Sequence, residues 1–207
     1  MGRIIKICGL KDPENILRII QLNPDWIGLI FYPGSPRFVS DIEILRFLNN
    51  LTGKPLITAV FVNPDIAEVD HVTSGLRIDM IQFHGTETPA TCQKFRDAGF
   101  LVMKAFAIQK DFDFTQTEKY QEKADYFLFD TPGPKHGGTG EQFSWELLSN
   151  YHGKTPFLLS GGISPDTVAI PDHPHLAGLD LNSRFEISPG IKNIELLKKF
   201  INKIRND

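Results

Sequence analysis

The chain has 207 residues, 41% hydrophobic and 23% charged, which is the make-up of one soluble globular domain, or of a small barrel, with ample material for a core. A net charge of -3 excludes a global basic field for nucleic acid or an acidic membrane, so an anionic ligand needs a local positive site. Two cysteines, Cys8 and Cys92, are too few for a disulfide framework and fit a reducing, cytoplasmic setting, and no apolar run reaches membrane-spanning length.

Residues 4–8 (IIKIC) are a short apolar, β-branched run ended by Gly9, and they predict the first strand. The run begins without a charged segment and an apolar leader ahead of it, so no secretory signal is expected. Asp12 followed by Pro13 is a helix cap with proline in the first turn, and Ile16, Leu17, Ile19 and Ile20 continue that helix. Residues 26–31 (WIGLIF) predict strand two and lead into Tyr32-Pro33-Gly34-Ser35-Pro36-Arg37. Ser40 is read as the cap of a helix with Ile42, Leu45 and Leu48 on one face. Residues 56–62 predict strand three, and Asn63-Pro64-Asp65 opens the next helix. Residues 79–83 predict strand four, followed by His84-Gly85 and a helix opened near Thr86 or Thr88.

Residues 100–107 predict strand five, and the polar segment 110–123 is assigned as a helix on the faintest pattern in the chain. Residues 126–129 predict strand six, ending at Asp130. The stretch 131–140 (TPGPKHGGTG) is too rich in Gly and Pro for regular structure and is expected to be a mobile loop. A short helix is predicted over 143–151. Strand seven, through Leu158 and Leu159, runs into Ser160-Gly161-Gly162. Strand eight, residues 178–181, runs into Asn182-Ser183, with a helical turn at 165–170 between the two. An amphipathic helix over 193–204 closes the chain, with Ile194, Leu197, Phe200, Ile201 and Ile204 on one face.

Strands that are continuously apolar, rather than alternating, indicate a parallel sheet covered on both faces. Their regular alternation with helices predicts an α/β fold that closes as a (β/α)8 TIM barrel, one domain over residues 1–207. Barrels do their chemistry at the C-terminal ends of the strands. Those ends carry Lys6 and Cys8, Arg37 in the loop after strand two, Gln82 and His84, Asp130, Ser160-Gly161-Gly162, and Asp180-Asn182-Ser183.

The two late turns can bring backbone N–H groups to a phosphate, at the place where barrels hold one. A thiol and an acid across a barrel mouth suit proton shuttling at carbon. No cysteine or histidine cluster has ligand spacing and no G-x-G-x-x-G occurs, so neither a metal nor a dinucleotide is expected. Each candidate also has a plainer reading. Cys8 could be a small buried hydrophobe, Asp130 a turn cap, Arg37 a solvated surface residue, His84 a core-edge histidine and Lys6 a structural cation paired with a carboxylate.

The ordered set of KICGL at 6–10, GLIFYPGSPR at 28–37, VFVN at 60–63, IQFHG at 81–85, residues 128–130, Gly137 to Gly140 with Phe143 and Trp145, residues 159–162 and residues 180–190 resembles the phosphoribosylanthranilate isomerases of tryptophan biosynthesis along essentially the full length. The resemblance implies an Amadori rearrangement without a cofactor, on a small phosphosugar substrate. By position, Asp130 is then the general acid that opens the ribose ring and Cys8 the general base that takes the C2′ proton. Arg37 pairs with the anthranilate carboxylate, and His84 and Asp180 lie with it among the substrate-binding residues. Ser160, Gly161, Gly162, Asn182, Ser183 and Arg184 fall where the family holds phosphate.

A base at Cys8 needs a neighbour that lowers its pKa, and Lys6 is the candidate. Two departures stand out: Arg184, then Phe185, replaces the family's glycine in the strand-eight turn, and Asn193 replaces an aspartate at a helix start. If the turn kept a glycine geometry, Arg184 would be strained. The competing readings are another phosphosugar barrel, with Lys6 or Lys104 as a Schiff-base lysine, and a non-catalytic phospholigand binder. Retention of both Cys8 and Asp130 argues against the latter. A monomer is the first expectation and a dimer the alternative.

Overall fold

Eight parallel strands close into a barrel in the computed structural model, which describes residues 2–53, 55–131, 144–167 and 169–206. They are β1 (Ile4–Leu10), β2 (Trp26–Ile30), β3 (Leu56–Phe61), β4 (Met80–Phe83), β5 (Leu101–Ala107), β6 (Tyr126–Asp130), β7 (Phe157–Leu159) and β8 (Leu176–Leu181). Each pairs with its neighbour in the chain, and β8 pairs back onto β1. Side chains on a strand alternate between faces, and here both faces are buried, which is why the runs read as uniformly apolar. One cluster, with Trp26, Met80, Met103, Leu128 and Leu158, fills the lower lumen. The larger cluster, including Ile5, Ile7, Ile27, Phe127 and Phe129, lies under the surrounding helices. One layer further up, the lumen turns polar on five strands, at Lys6, Thr58, Gln82, Asp130 and Ser160, the last just past β7.

Three aspartates pin the bottom of the ring. Asp25, Asp79 and Asp125 stand just before β2, β4 and β6, and their carboxylates accept the N–H groups of Ile5, Ile57 and Val102 at 3.0, 2.8 and 2.9 Å. Each aspartate also donates its own N–H to the carbonyl of the same residue, at 3.0, 2.9 and 2.8 Å. The result is a two-point staple from an odd strand to the next even one. Arg205, Arg77 and Arg96 pair with the three carboxylates. Before β8 the corresponding residue is His175, whose carbonyl takes the Phe157 N–H but whose side chain cannot complete the staple.

Four α-helices form where the sequence supplies caps. Asp12 caps α1 (Pro13–Ile20), Asp65 and Glu68 make a reciprocal capping box on α2 (Ile66–Gly75), and Thr88 caps α3 (Pro89–Asp97). Asn193 Oδ1 accepts the Leu196 N–H at 3.1 Å to start α4 (Ile194–Asn206), so the asparagine caps as an aspartate would.

Elsewhere the predicted helices are corrected. Ser40 caps nothing, and the segment after β2 is a 3-10 helix, Glu43–Asn50. Two more 3-10 helices, Phe114–Tyr120 and Trp145–Asn150, follow β5 and β6. The cause is the spacing of buried residues: Leu45 and Leu48, then Phe114, Thr117 and Tyr120, recur every third position, which suits three residues per turn. Where a helical turn was expected at 165–170, the described residues show a turn at Pro165 and Asp166, closed by the Thr167 N–H on the Ser164 carbonyl. Strand eight begins at Leu176, earlier than expected. A small antiparallel hairpin, β9 (Glu186–Ser188) and β10 (Ile191–Lys192), was not foreseen. Apart from Thr131, the Gly/Pro-rich stretch and the Gly137, Gly140 and Phe143 motif lie outside the described residues.

Candidate active site

At the top of β1, Cys8 sits against Gly28 of β2, where a Cβ would lie 2.6 Å from Sγ, so only glycine leaves room for the thiol. Lower on β1, the register places Lys6 opposite Asp180 of β8, and Lys6 Nζ donates to Asp180 Oδ2 at 2.9 Å with both side chains buried. Burial alone would lower the pKa of Lys6, but the charge of Asp180 and the neighbouring Cys8 outweigh it and hold the ammonium above its ordinary value. Burial likewise pushes Asp180 up against the pull of Lys6. Its second oxygen, Oδ1, is buried with no hydrogen-bond partner among the described residues.

The expectation that Lys6 lowers the Cys8 pKa is right in sign and wrong in outcome. Burial pushes the thiol up by more than Lys6 and Lys192 pull it down, with Asp180 adding to the rise. The protonated thiol is therefore the resting form at neutral pH.

Asp130 ends β6, three places round the eight-stranded ring from β1, so it and Cys8 approach one cavity from different sides. Asp130 Oδ1 accepts the Thr131 N–H at 2.9 Å, and Oδ2 lies 3.4 Å from His84 Nε2. The Gln82 amide nitrogen is 3.0 Å from His84 Nδ1. An amide nitrogen can only donate, which makes Nδ1 the acceptor and puts the ring proton on Nε2, facing Asp130. Asp130 thus caps its own turn, as the plainer reading had it, and also faces the cavity.

Cys8, Gln82, His84, Asp130 and Asp180 line one cavity together with both late turns. In the first turn Ser160 spends its N–H on the Phe129 carbonyl. Gly161 and Gly162 have φ of +77° and +72°, and a Cβ on Gly161 would collide with Thr131. In the second, Ser183–Phe185 is one 3-10 turn. The N–H groups of Gly161, Gly162 and Ser183 have no partner among the described residues, which leaves them for an anion. Arg184 lines the cavity while remaining exposed, and its φ is not positive, so the strain considered for a retained glycine geometry does not arise.

Arg37 is buried rather than solvated, and it does not form the cavity wall. Its Nε and Nη2 donate to Glu186 Oε1 and Oε2 at 2.9 and 2.7 Å. Lys192 donates to Glu186 Oε1 and to Asn182 Oδ1, both at 2.7 Å, and burial lowers its pKa to about 8. The sequence reading passed over Glu186 and Lys192, whose signal was the Pro189-Gly190 turn between two isoleucines. Lys104, one of two Schiff-base candidates, points out of the barrel and is bound by carbonyls of Phe83, Gly85 and Ala105. Among the described residues no three His, Cys, Asp or Glu side chains gather as metal ligands.

A closed parallel barrel with an acid, a thiol and two anion-ready turns around one mouth defines a phosphate-handling (β/α)8 barrel enzyme. A sequence model of N-(5'-phosphoribosyl)anthranilate isomerase matches residues 5–203, and the chain belongs to that family. It is 43% identical to the N-(5'-phosphoribosyl)anthranilate isomerase of Parabacteroides distasonis, over 97% of this chain and 93% of that one. Phosphoribosyl anthranilate isomerase from Thermotoga maritima superposes with a TM-score of 0.83 at 29% identity, covering 100% of each chain. A structure of such an isomerase in complex with reduced 1-(o-carboxyphenylamino)-1-deoxyribulose 5-phosphate superposes with a TM-score of 0.80 at 27% identity, again over 100% of both.

Proposed function

We propose that this chain isomerises N-(5'-phosphoribosyl)anthranilate to 1-(2-carboxyphenylamino)-1-deoxyribulose 5-phosphate in tryptophan biosynthesis, with Asp130 as general acid and Cys8 as general base. The observation that carries the assignment of roles is that Cys8 and Asp130 reach one cavity from β1 and β6, beside the two glycine- and serine-bearing turns. The phosphate docks on the N–H groups of Gly161, Gly162 and Ser183, with Ser160, Asn182 and the Arg184 side chain at the rim.

Asp130 gives a proton to the ribose ring oxygen, the C1′–O bond breaks, and the anilino nitrogen forms a protonated Schiff base. The His84 Nε2–H facing Asp130 supplies the hydrogen bond that steadies the carboxylate left behind. Cys8 then removes the C2′ proton as a thiolate, and the electrons flow to nitrogen to give an enolamine. The Cys8 thiol then gives its proton to C1′ while the 2′-hydroxyl proton leaves to Asp130, which forms the ketone and restores both groups, so atoms and charge balance without a cofactor. Asp180 Oδ1, buried and without a partner, is suited to accept a hydrogen bond from a ribose hydroxyl. Arg37 and Lys192 place positive charge behind Asn182 for the anthranilate carboxylate.

Two buried free thiols suit the cytoplasm. Both Schiff-base candidates are already engaged, Lys104 outward on carbonyls and Lys6 on Asp180, which speaks against an aldolase. Purified protein mixed with N-(5'-phosphoribosyl)anthranilate should quench the anthranilate-type fluorescence in a steady-state assay, and Asp130→Asn should lose most of that rate. No turnover by the wild-type chain would overturn the reading.

A further inference from the structure

Glu186 is an acid near the barrel mouth that the chemistry above leaves without a task, yet it accepts four hydrogen bonds. Its Oε1 accepts from Arg37 Nε, Lys192 Nζ and the Gly190 N–H, and its Oε2 from Arg37 Nη2. The side chains are 8% exposed for Arg37, 6% for Glu186 and 0% for Lys192. Lys192 is fixed in turn by Asn182 Oδ1 and, through its backbone, by two bonds with the Asn15 side chain of α1. One carboxylate holds two buried cations, so the cluster carries one positive charge in excess beside the cavity. A bidentate fork also fixes the plane of the guanidinium, leaving the Nη1 edge as the one that Glu186 does not engage.

We infer that Glu186 is a positioning residue, which clamps Arg37 and Lys192 into a preset receptor for the substrate's aryl carboxylate and ties that receptor to the phosphate turn through Asn182. This rests on the proposed isomerase reading. An anion completes the charge of the cluster, while the clamp spares Arg37 the ordering of a long side chain when the anion arrives. Two opposite expectations follow for removing Glu186. If it merely neutralised the cations, its loss would free them and tighten binding of any carboxylate. If it positions them, its loss weakens binding in spite of the added positive charge.

The test measures affinity of wild type, Glu186→Gln and Glu186→Ala for reduced 1-(o-carboxyphenylamino)-1-deoxyribulose 5-phosphate and for the analogue lacking the aryl carboxylate, alongside kcat and KM. Positioning predicts about tenfold weaker binding of the carboxylate-bearing compound, with KM rising more than kcat falls. The analogue without the carboxylate should bind all three proteins within about twofold. In an Arg37→Ala background the Glu186→Gln effect should shrink, because only Lys192 is left to position. Glu186→Gln keeps the shape and one acceptor, so it remains readable if Glu186→Ala does not fold. Unchanged or tighter binding of the carboxylate compound, or equal losses for both compounds, would overturn the inference. Neither result touches the isomerase reading, which fails only if the wild-type chain does not turn over its substrate.

Discussion

Two buried clusters in this barrel use the same three chemical groups, an ammonium, a carboxylate and a thiol: Lys6, Asp180 and Cys8 in the lumen, and Lys104, Glu87 and Cys92 between β5 and α3. The outer cluster is saturated. Lys104 donates to the Gly85 and Ala105 carbonyls at 2.8 Å each, lies 3.3 Å from Glu87 Oε2 and sits over the Phe106 ring, while Glu87 accepts the N–H groups of Asn63 and Gly85. Burial lowers Lys104 and pushes Cys92 up to about 11. In the lumen, by contrast, Asp180 keeps an oxygen without a partner, Cys8 opens onto the cavity, and Lys6 is held above its ordinary value. Spare bonding capacity turned toward a space, rather than the choice of residues, separates a site from a structural knot.

The sharpest way to break this contrast is to remove each thiol. Cys8→Ala should lower kcat by about 10²–10⁴-fold, the range for a positioned proton-transfer group. Cys92→Ala should leave kcat within about twofold and show itself only in the melting temperature. Equal kinetic effects from the two would erase the distinction.

Next in size, Lys104→Met strips one partner from a buried pair and leaves Glu87 exposed to that deficit. Loss of about 3–5 kcal/mol in denaturant unfolding is expected, with kcat intact at temperatures where the variant stays folded. A stable variant with low kcat would place Lys104 in the site after all.

The resting thiol at Cys8 gives a signed pH dependence. As the proposed general base, Cys8 would work deprotonated, and burial has raised its pKa, so kcat should climb with pH above neutrality, by up to about tenfold per unit until the thiol ionises. Lys192, which loses its proton near pH 8, withdraws a nearby charge as it does so and should soften the climb. A flat profile between pH 7 and 9 would mean that ligand binding has already deprotonated Cys8.

The smallest effect is expected at the rim. Arg184→Gly should raise KM by about two- to fivefold at low salt, as for a screened surface charge, with kcat unchanged. With no positive φ at this position, relief of strain should not stabilise the variant.

Most of the lumen was legible in the sequence because strand ends carry the chemistry in a barrel: Cys8, Gln82, His84, Asp130 and Asp180 were read straight from those ends, and all line the cavity. The glycine pair at 161–162 was legible for the same reason. Glu186 and Lys192 were not, since strands of three and two residues carry no periodicity and their partners, Arg37 and Asn15, are far away in the chain. The 3-10 segments were misread because Leu45 and Leu48, three apart, satisfy both a helical face and a three-residue turn. The balance of burial against charge at Cys8 depends on how many neighbours close over it, and no spacing rule reports that.

The aspartate staples have a consequence for where this ring opens. Three odd–even strand pairs are riveted at their base, and the fourth, β7 with β8, is not; β7 has only three residues and its register with β8 slips between Phe157 and Leu158. Amide protons along that seam should exchange first, as the least protected part of the barrel. The two turns proposed to hold phosphate sit at the upper end of this same seam, one on each strand. A bound phosphate bridging them would serve as the missing fourth rivet, and saturating ligand should slow exchange there more than anywhere else in the ring.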